Sequence, residues 1–420
     1  MNKVKEKWIH SKWKYAVPFL VIMVMMVLPV NAKTGDIPIN AAHFKSEALM
    51  YTLEDVQYDK NRDGVLSQEE IKNITKLVIE NPWGKDFDSF QGIEYLTELK
   101  ELDCRYIRAN GIILDLSKNT KLEQVDCSNN KLTGIKLGQN RNLKKLICAN
   151  TEIVRLDLQG CPNLEDLDTS YCDKLKHLNV TKSTKLKTLN CYLNIRLTSL
   201  NIRNNKELVT LICDGGEYQL DVTQNKKLET LSCDGLRMKK LNVTQNKNLK
   251  YLSCRSSRLE KLDVTKNKNL QELYCNENQL KKLDVTKNKK LKRLDCTKNQ
   301  ITSLNLKNNL KLQICRVDKR VKVKHALVRK KTKIDEVNVG KTKIRIYIEP
   351  VVPASAYQVQ YSTKKNFKNA KTVIKNIPIV ELKKLKAGTY YIKTRYVMRN
   401  SAGKTIYGKY SNVIEIKVGS

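Results

Sequence analysis

The chain of 420 residues carries 79 Lys+Arg against 43 Asp+Glu, a formal net charge of +36. Its length leaves room for two or three domains, and its charge points to anionic partners: cell-wall polymers, membrane surfaces, acidic glycans or nucleic acid. The four histidines (His10, His43, His177 and His325) are isolated, and there is no Gly-x-Ser-x-Gly elbow, phosphate-cradling glycine loop or His-Glu-x-x-His. The common hydrolase, nucleotide-binding and zinc-protease layouts are thereby excluded, and the chain reads as a non-enzyme.

Residues 1–32 read as a secretory signal peptide. Lys3, Lys5, Lys7, Lys12 and Lys14 form a basic start, residues 16–30 an apolar run broken by Pro18 and Pro29, and Val30-Asn31-Ala32 the cleavage site. The mature protein is expected to be soluble, without a membrane span, and secreted or cell-wall associated.

Residues 33–98 are acidic, about −6 by count, in an otherwise basic chain. They hold a twelve-residue loop, 59–70, of the kind that binds Ca²⁺ between two helices. Asp59, Asn61 and Asp63 supply oxygens at positions 1, 3 and 5, and Gly64 permits the sharp turn. Val65 offers its carbonyl at 7, Ser67 acts at 9, and Glu70 is the bidentate ligand at 12. The loop resembles the EF-hand and the calcium loops of dockerin repeats, in a single copy. The segment after it leads straight into a repeat, so the expected role is a calcium-stiffened amino-terminal cap with a first atypical repeat.

Residues 99–317 repeat about ten times with a period of 21, as in NLQELYCNENQLKKLDVTK near residue 270. A fixed period of this size means stacked supersecondary units. Leu, Leu and Cys hold offsets 0, 3 and 5, and Leu, Leu and Val hold 10, 13 and 15, with Asn closing each half. Each half therefore reads as a short strand and a tight turn, and the stack as two parallel sheets back to back. Cys104, Cys127, Cys148, Cys191, Cys213, Cys233, Cys254, Cys275 and Cys296 share one slot, with Thr169 there once. Parallel stacking sets their Cβ atoms a strand spacing apart, at or beyond the upper end of disulfide reach, so they read as a ladder of buried thiols. The Asn residues read as bonding the backbone of their own and the neighbouring coil.

This pattern resembles the bacterial leucine-rich repeats of the 21-residue nested type, found in internalin-like surface proteins. The resemblance implies an elongated binding scaffold. The Leu-Asp-Val-Thr strand is monotonous from coil to coil, whereas the exposed slots of the Cys strand change constantly. That varied face is the candidate recognition surface, centred on Tyr192, Asp214, Asp234, Tyr251, Arg255 and Tyr274 and expected to project outward. Lysines of the Thr-Lys-Asn-Lys turns read as a solvated coat.

Residues 318–332 are expected to be a covering strand and linker. From 333 to 420 the periodicity becomes alternating, with about seven strands and turns between, which indicates a β-sandwich. It resembles a fibronectin type III domain, with Tyr390 as the corner tyrosine and Ile348 where that fold usually has a Trp. The fold class is thus mainly β: a leucine-rich repeat solenoid with a small α-helical EF-hand-like cap and a carboxy-terminal β-sandwich. The function read from the sequence is a secreted or cell-surface adhesin-type scaffold, monomeric, binding a protein or glycan. A polyanion-associated structural surface protein and an accessory module of glycan degradation are the alternatives. Nucleic acid is disfavoured, because no motif for it accompanies the charge.

Overall fold

The computed structural model describes residues 34–325, 331–351, 354–399 and 405–419; the signal-peptide reading of residues 1–32 lies outside them. Two hydrophobic cores are present. One runs unbroken from Ile39 to Val321. The other gathers residues from Ile344 to Val418.

The first core is a leucine-rich repeat solenoid. Its Cys-side strands form one parallel twelve-stranded sheet, beginning with Lys76–Val78 and Glu101–Asp103 and ending with Arg293–Asp295 and Ile314–Arg316. Twelve strands exceed the ten plain repeats because an atypical coil is added at each end. Most are three residues with a buried middle, such as Leu252 within Tyr251–Ser253. One residue faces the core and its two neighbours face out, as a period of two demands.

The opposite side corrects the expectation of a second continuous sheet. Among the described residues it forms only two-stranded pieces: Ile113–Asp115 with Gly134–Lys136, Arg155–Asp157 with His177–Asn179, Lys240–Leu241 with Lys261–Leu262, and Ser303–Leu306 with Lys322–His325. Local bonding accompanies this shortening. Asp263 Oδ1 accepts from both the backbone N–H and the hydroxyl of Thr265, at 2.9 and 2.7 Å, and Asp284 does the same with Thr286. The same bonding occurs beside the continuous sheet, where Asp295 Oδ1 accepts from the N–H and hydroxyl of Thr297 at 3.1 and 2.7 Å.

An asparagine ladder holds this side together. Asn267 Nδ2 donates to Val243 O and Asn246 O of the preceding coil, at 2.9 and 2.8 Å, and Asn288 repeats this one coil later. On the Cys side, Asn278 Nδ2 donates to Cys254 O and Cys275 O, while its Oδ1 accepts from Ser257 and Leu259. All twelve cysteines are free; eleven are buried and Cys315 is half-buried. Lysines at the start of the Cys half-repeats pair across coils, as in Lys144–Glu123 (2.7 Å), Lys187–Glu165 (2.7 Å) and Lys250–Glu229 (2.6 Å).

At the amino end, the helices Glu47–Leu53 and Gln68–Asn73 cover the first coil with Phe44, Leu49, Leu53 and Ile71. Gly92 sits at φ +103°, and a Cβ there would meet the Phe44 ring at 2.2 Å, so glycine is required for this closure. The second core lies between a three-stranded antiparallel sheet (Ile334–Gly340, Lys343–Ile348, Ile379–Leu382) and a five-stranded one (Lys371–Lys375, Ala356–Ser362, Gly388–Arg399, Thr405–Tyr407, Ile414–Val418). Ile348 is buried there, and Tyr390 Oη donates to Lys386 O at 3.1 Å. No described helix is long and apolar enough to cross a membrane.

Candidate functional site

Parallel register places the outward slots of successive Cys-side strands directly beside one another. Tyr251 stands opposite Thr230 and Glu272, and Tyr274 opposite Ser253 and Asp295. The Tyr251 and Tyr274 rings lie 5.7 Å apart, and the Arg255 guanidinium sits 4.4 Å over the Tyr274 ring. Tyr274 Oη donates to Glu272 at 2.9 Å. Burial raises the Tyr251 hydroxyl above its ordinary range. Arg255 Nε is buried without a hydrogen bond, 3.9 Å from Asp234 Oδ2. The buried Nε faces the Asp234 carboxylate, while the side chain as a whole stays 42% exposed over the ring.

The acidic members have a different place from the one expected. Asp214 does not project outward: it is only 8% exposed. Ser232 Oγ of the next coil donates to both its oxygens, at 2.9 and 3.0 Å, and the Asp234 N–H donates at 2.6 Å. Asp234 is half-buried and repeats the arrangement one coil on, accepting from Ser253 Oγ (2.7 Å) and the Arg255 N–H (2.6 Å). Small serines in the following coil let the carboxylates fold back. Burial raises the Asp214 carboxyl above its usual range despite these hydrogen bonds.

Tyr192 lies three coils from Tyr251, and both line a shallow depression of about 470 Å³ together with Asp214 and Ile212. That depression has a member the sequence reading missed. Tyr171, 54% exposed, meets Tyr192 edge-on at 5.3 Å. It occupies a left-handed slot at φ 59°, which in other coils holds Tyr106, Asn129, Asn150, Leu193, Gly215, Gly235, Ser256, Glu277 or Lys298. Strand alternation does not cover such a turn position. The slot varies as freely as the outward strand positions, and that variation was the signal that could have found Tyr171.

The 59–70 loop lies in the cap, apart from these residues. Asp59 Oδ2 accepts from the Gly64 N–H (2.9 Å), Asn61 Oδ1 from Asp63 (3.1 Å) and Asp63 Oδ1 from Val65 (2.9 Å). Glu70 closes a capping box on Ser67 and also accepts from the Lys60 N–H at 2.8 Å. Burial pushes its carboxyl up, but the bonds from Ser67 and Lys60 outweigh this and hold it below the usual range. Val65–Leu66 pairs antiparallel with Ile37–Pro38, so the single loop has a strand partner within its own chain. The donor set is of calcium-binding chemistry, and buried Asp59 Oδ1 has no hydrogen-bond partner. Among the described residues, no three His, Cys, Asp or Glu side chains gather as a group that could hold a metal ion.

The coils, cysteine ladder and continuous sheet define a leucine-rich repeat solenoid. No family model and no curated protein matches the chain. Among solved structures, the functional domain of InlJ from Listeria monocytogenes, described as including a cysteine ladder, aligns over 91% of this chain and 98% of that one, at 20% identity and a TM-score of 0.53. An internalin, inlF, from L. monocytogenes strain 4b F2365 covers 67% of this chain and 77% of its own at 23% identity and a TM-score of 0.46. The Leptospira interrogans protein LIC12759 covers 62% and 84% at 18% identity and a TM-score of 0.42. The similarity to InlJ concerns the fold.

Proposed function

We propose that this chain is an extracellular binding scaffold and not an enzyme, taking a protein or glycan partner on the Cys-side sheet. The observation that carries the reading is the Tyr251–Tyr274 pair, with Arg255 stacked on Tyr274, beside the Tyr171–Tyr192 pair. Aromatic and arginine anchors dominate interfaces, and an extended solenoid face is where repeat proteins bind. In this reading Asp214 and Asp234 hold the coils beneath the tyrosines in register. The cap is stiffened by one Ca²⁺ in the 59–70 loop, residues 1–32 direct export, and residues 333–420 form a fibronectin type III-like sandwich that spaces the solenoid from its support.

The test is a protein and glycan binding array, followed by affinity measurement on variants. Tyr251→Ala with Tyr274→Ala should weaken binding at least about 30-fold, on the order of 2 kcal/mol. The melting temperature should stay within a few degrees of the parent, since both side chains face out. Lys266→Ser, Lys287→Ser and Lys289→Ser together, on exposed turns, should alter mainly the salt dependence. If the lysine variant abolishes binding and the tyrosine variant does not, recognition lies along the turns and this reading fails.

A further inference from the structure

Residues 331–419 contain 19 Lys+Arg and five Asp+Glu, so most of their cations cannot be neutralised within the domain. The acids are also unevenly placed. Asp335, Glu336 and Glu381 lie on strands of the three-stranded sheet, and Glu349 just follows one. Arg345 and Lys383 both pair with Glu381 on that side, each at 3.1 Å. Among the described residues, the strands of the five-stranded sheet carry a single acid, Glu415, opposite Tyr391.

The outer face of that five-stranded sheet alternates cations with aromatic rings. Lys393 Nζ lies 4.0 Å from the Phe367 ring centre and 4.6 Å from that of Tyr410. Arg395 lies 4.4 Å from Tyr410 and 3.8 Å from Tyr407. Its Nε donates to Gln358 in the neighbouring strand. At the Phe367 end, the connection between Ala356–Ser362 and Lys371–Lys375 presents exposed Lys364, Lys365 and Lys368. Ser362 fixes this turn by bonding Lys364 N and Lys368 O, both at 3.1 Å. The result is a cationic row along one face, with flat rings and amides between the charges.

We propose that this face binds a linear polyol phosphate, the charge-complementary chain whose spaced phosphates meet Lys364, Lys365, Lys368, Lys393 and Arg395 while its carbon backbone lies on Phe367, Tyr410 and Tyr407. Cations held on ring faces lose less freedom when an anion arrives, and several spaced contacts give an additive, salt-sensitive affinity. The site deepens the reading of an extracellular binder by supplying a means of retention separate from the solenoid face.

The experiment uses the whole chain over immobilised poly(glycerol phosphate), at several salt concentrations. Lys364→Ser with Lys365→Ser and Lys368→Ser should weaken binding at least about tenfold and lower the salt slope by about 2–3. Arg395→Gln tests the row itself, with a circular dichroism melt to monitor folding. Lys266→Ser with Lys287→Ser and Lys289→Ser removes the same charge from the solenoid and should leave binding near the parent value. Equal loss in both triple variants, or no binding by the parent, overturns the proposal. So does displacement by duplex DNA at equal phosphate, which assigns the face to nucleic acid. The Tyr251→Ala, Tyr274→Ala variant should bind the polymer normally; loss there returns the polymer to the solenoid and overturns this site, whereas failure of the array alone leaves it standing.

Discussion

Ser232 Oγ donates to both oxygens of Asp214, at 2.9 and 3.0 Å, tying one coil of the solenoid to the next beneath the outer tyrosines. Asp214→Ala leaves that hydroxyl and the Asp234 N–H without their acceptor, and should cost about 1–3 kcal/mol in a denaturant melt. The carboxyl is raised by burial. The native state therefore holds its proton to higher pH than the unfolded chain does. Its contribution makes stability fall as pH rises from the ordinary Asp value through the raised native one. Asp214→Asn should flatten that part of the stability–pH profile; an unchanged slope shows that another group sets it.

The asparagine ladder should be costly to interrupt. Asn267 Nδ2 serves two buried carbonyls, Val243 O and Asn246 O. Asn267→Ala strands both and should destabilise the solenoid by about 2–4 kcal/mol, against less than about 1 kcal/mol for exposed Lys268→Ala. Comparable midpoints for the two variants would remove the ladder from the stability argument.

Twelve thiols should be titratable under denaturing, non-reducing conditions, since all twelve cysteines are free. In the folded protein most should be silent to a thiol reagent. Burial pushes Cys161 up to about 11 and Cys315 up to about 12, and the fully buried Cys104 and Cys254 far above the ordinary thiol range. Cys315, the half-buried member, should react first. A denatured count well short of twelve contradicts a reduced ladder.

Calcium should raise the melting temperature through the 59–70 loop, because a ligand that binds only the native state stabilises it. Glu70→Gln discriminates between its two roles. Glutamine can keep the capping box with Ser67, so the metal-free protein should lose little at low pH, while the calcium-induced shift should largely vanish. The Glu70 carboxyl is held low in the fold, so its stabilisation is present above the ordinary Glu value and lost as pH falls through the native one. The substitution should shallow that acid limb. A calorimetric titration of the parent without calcium uptake sinks the site.

The 21-residue period, the inward Leu and Cys slots and the Asn turns were legible in the sequence, because a coil of fixed length must repeat its inward positions and its turn chemistry. Tyr251 and Tyr274 could be chosen as outward residues on alternation alone. Their pairing under Arg255 could not, since it depends on neighbouring strands meeting in register. Asp214 shows the limit most clearly. It shares its slot with Tyr192 and Arg255, yet it folds back because Ser232 one coil later offers a hydroxyl instead of a bulky side chain. Tyr171 escaped because a left-handed turn obeys neither period. The break of the second sheet into pieces was not legible, because both halves of the repeat alternate alike and the same local bonds occur beside the continuous sheet, as at Asp295 with Thr297. The sequence alone determined which residues must be buried for any coil to stack; the tertiary structure decided which exposed ones touch, because those contacts join residues about twenty positions apart.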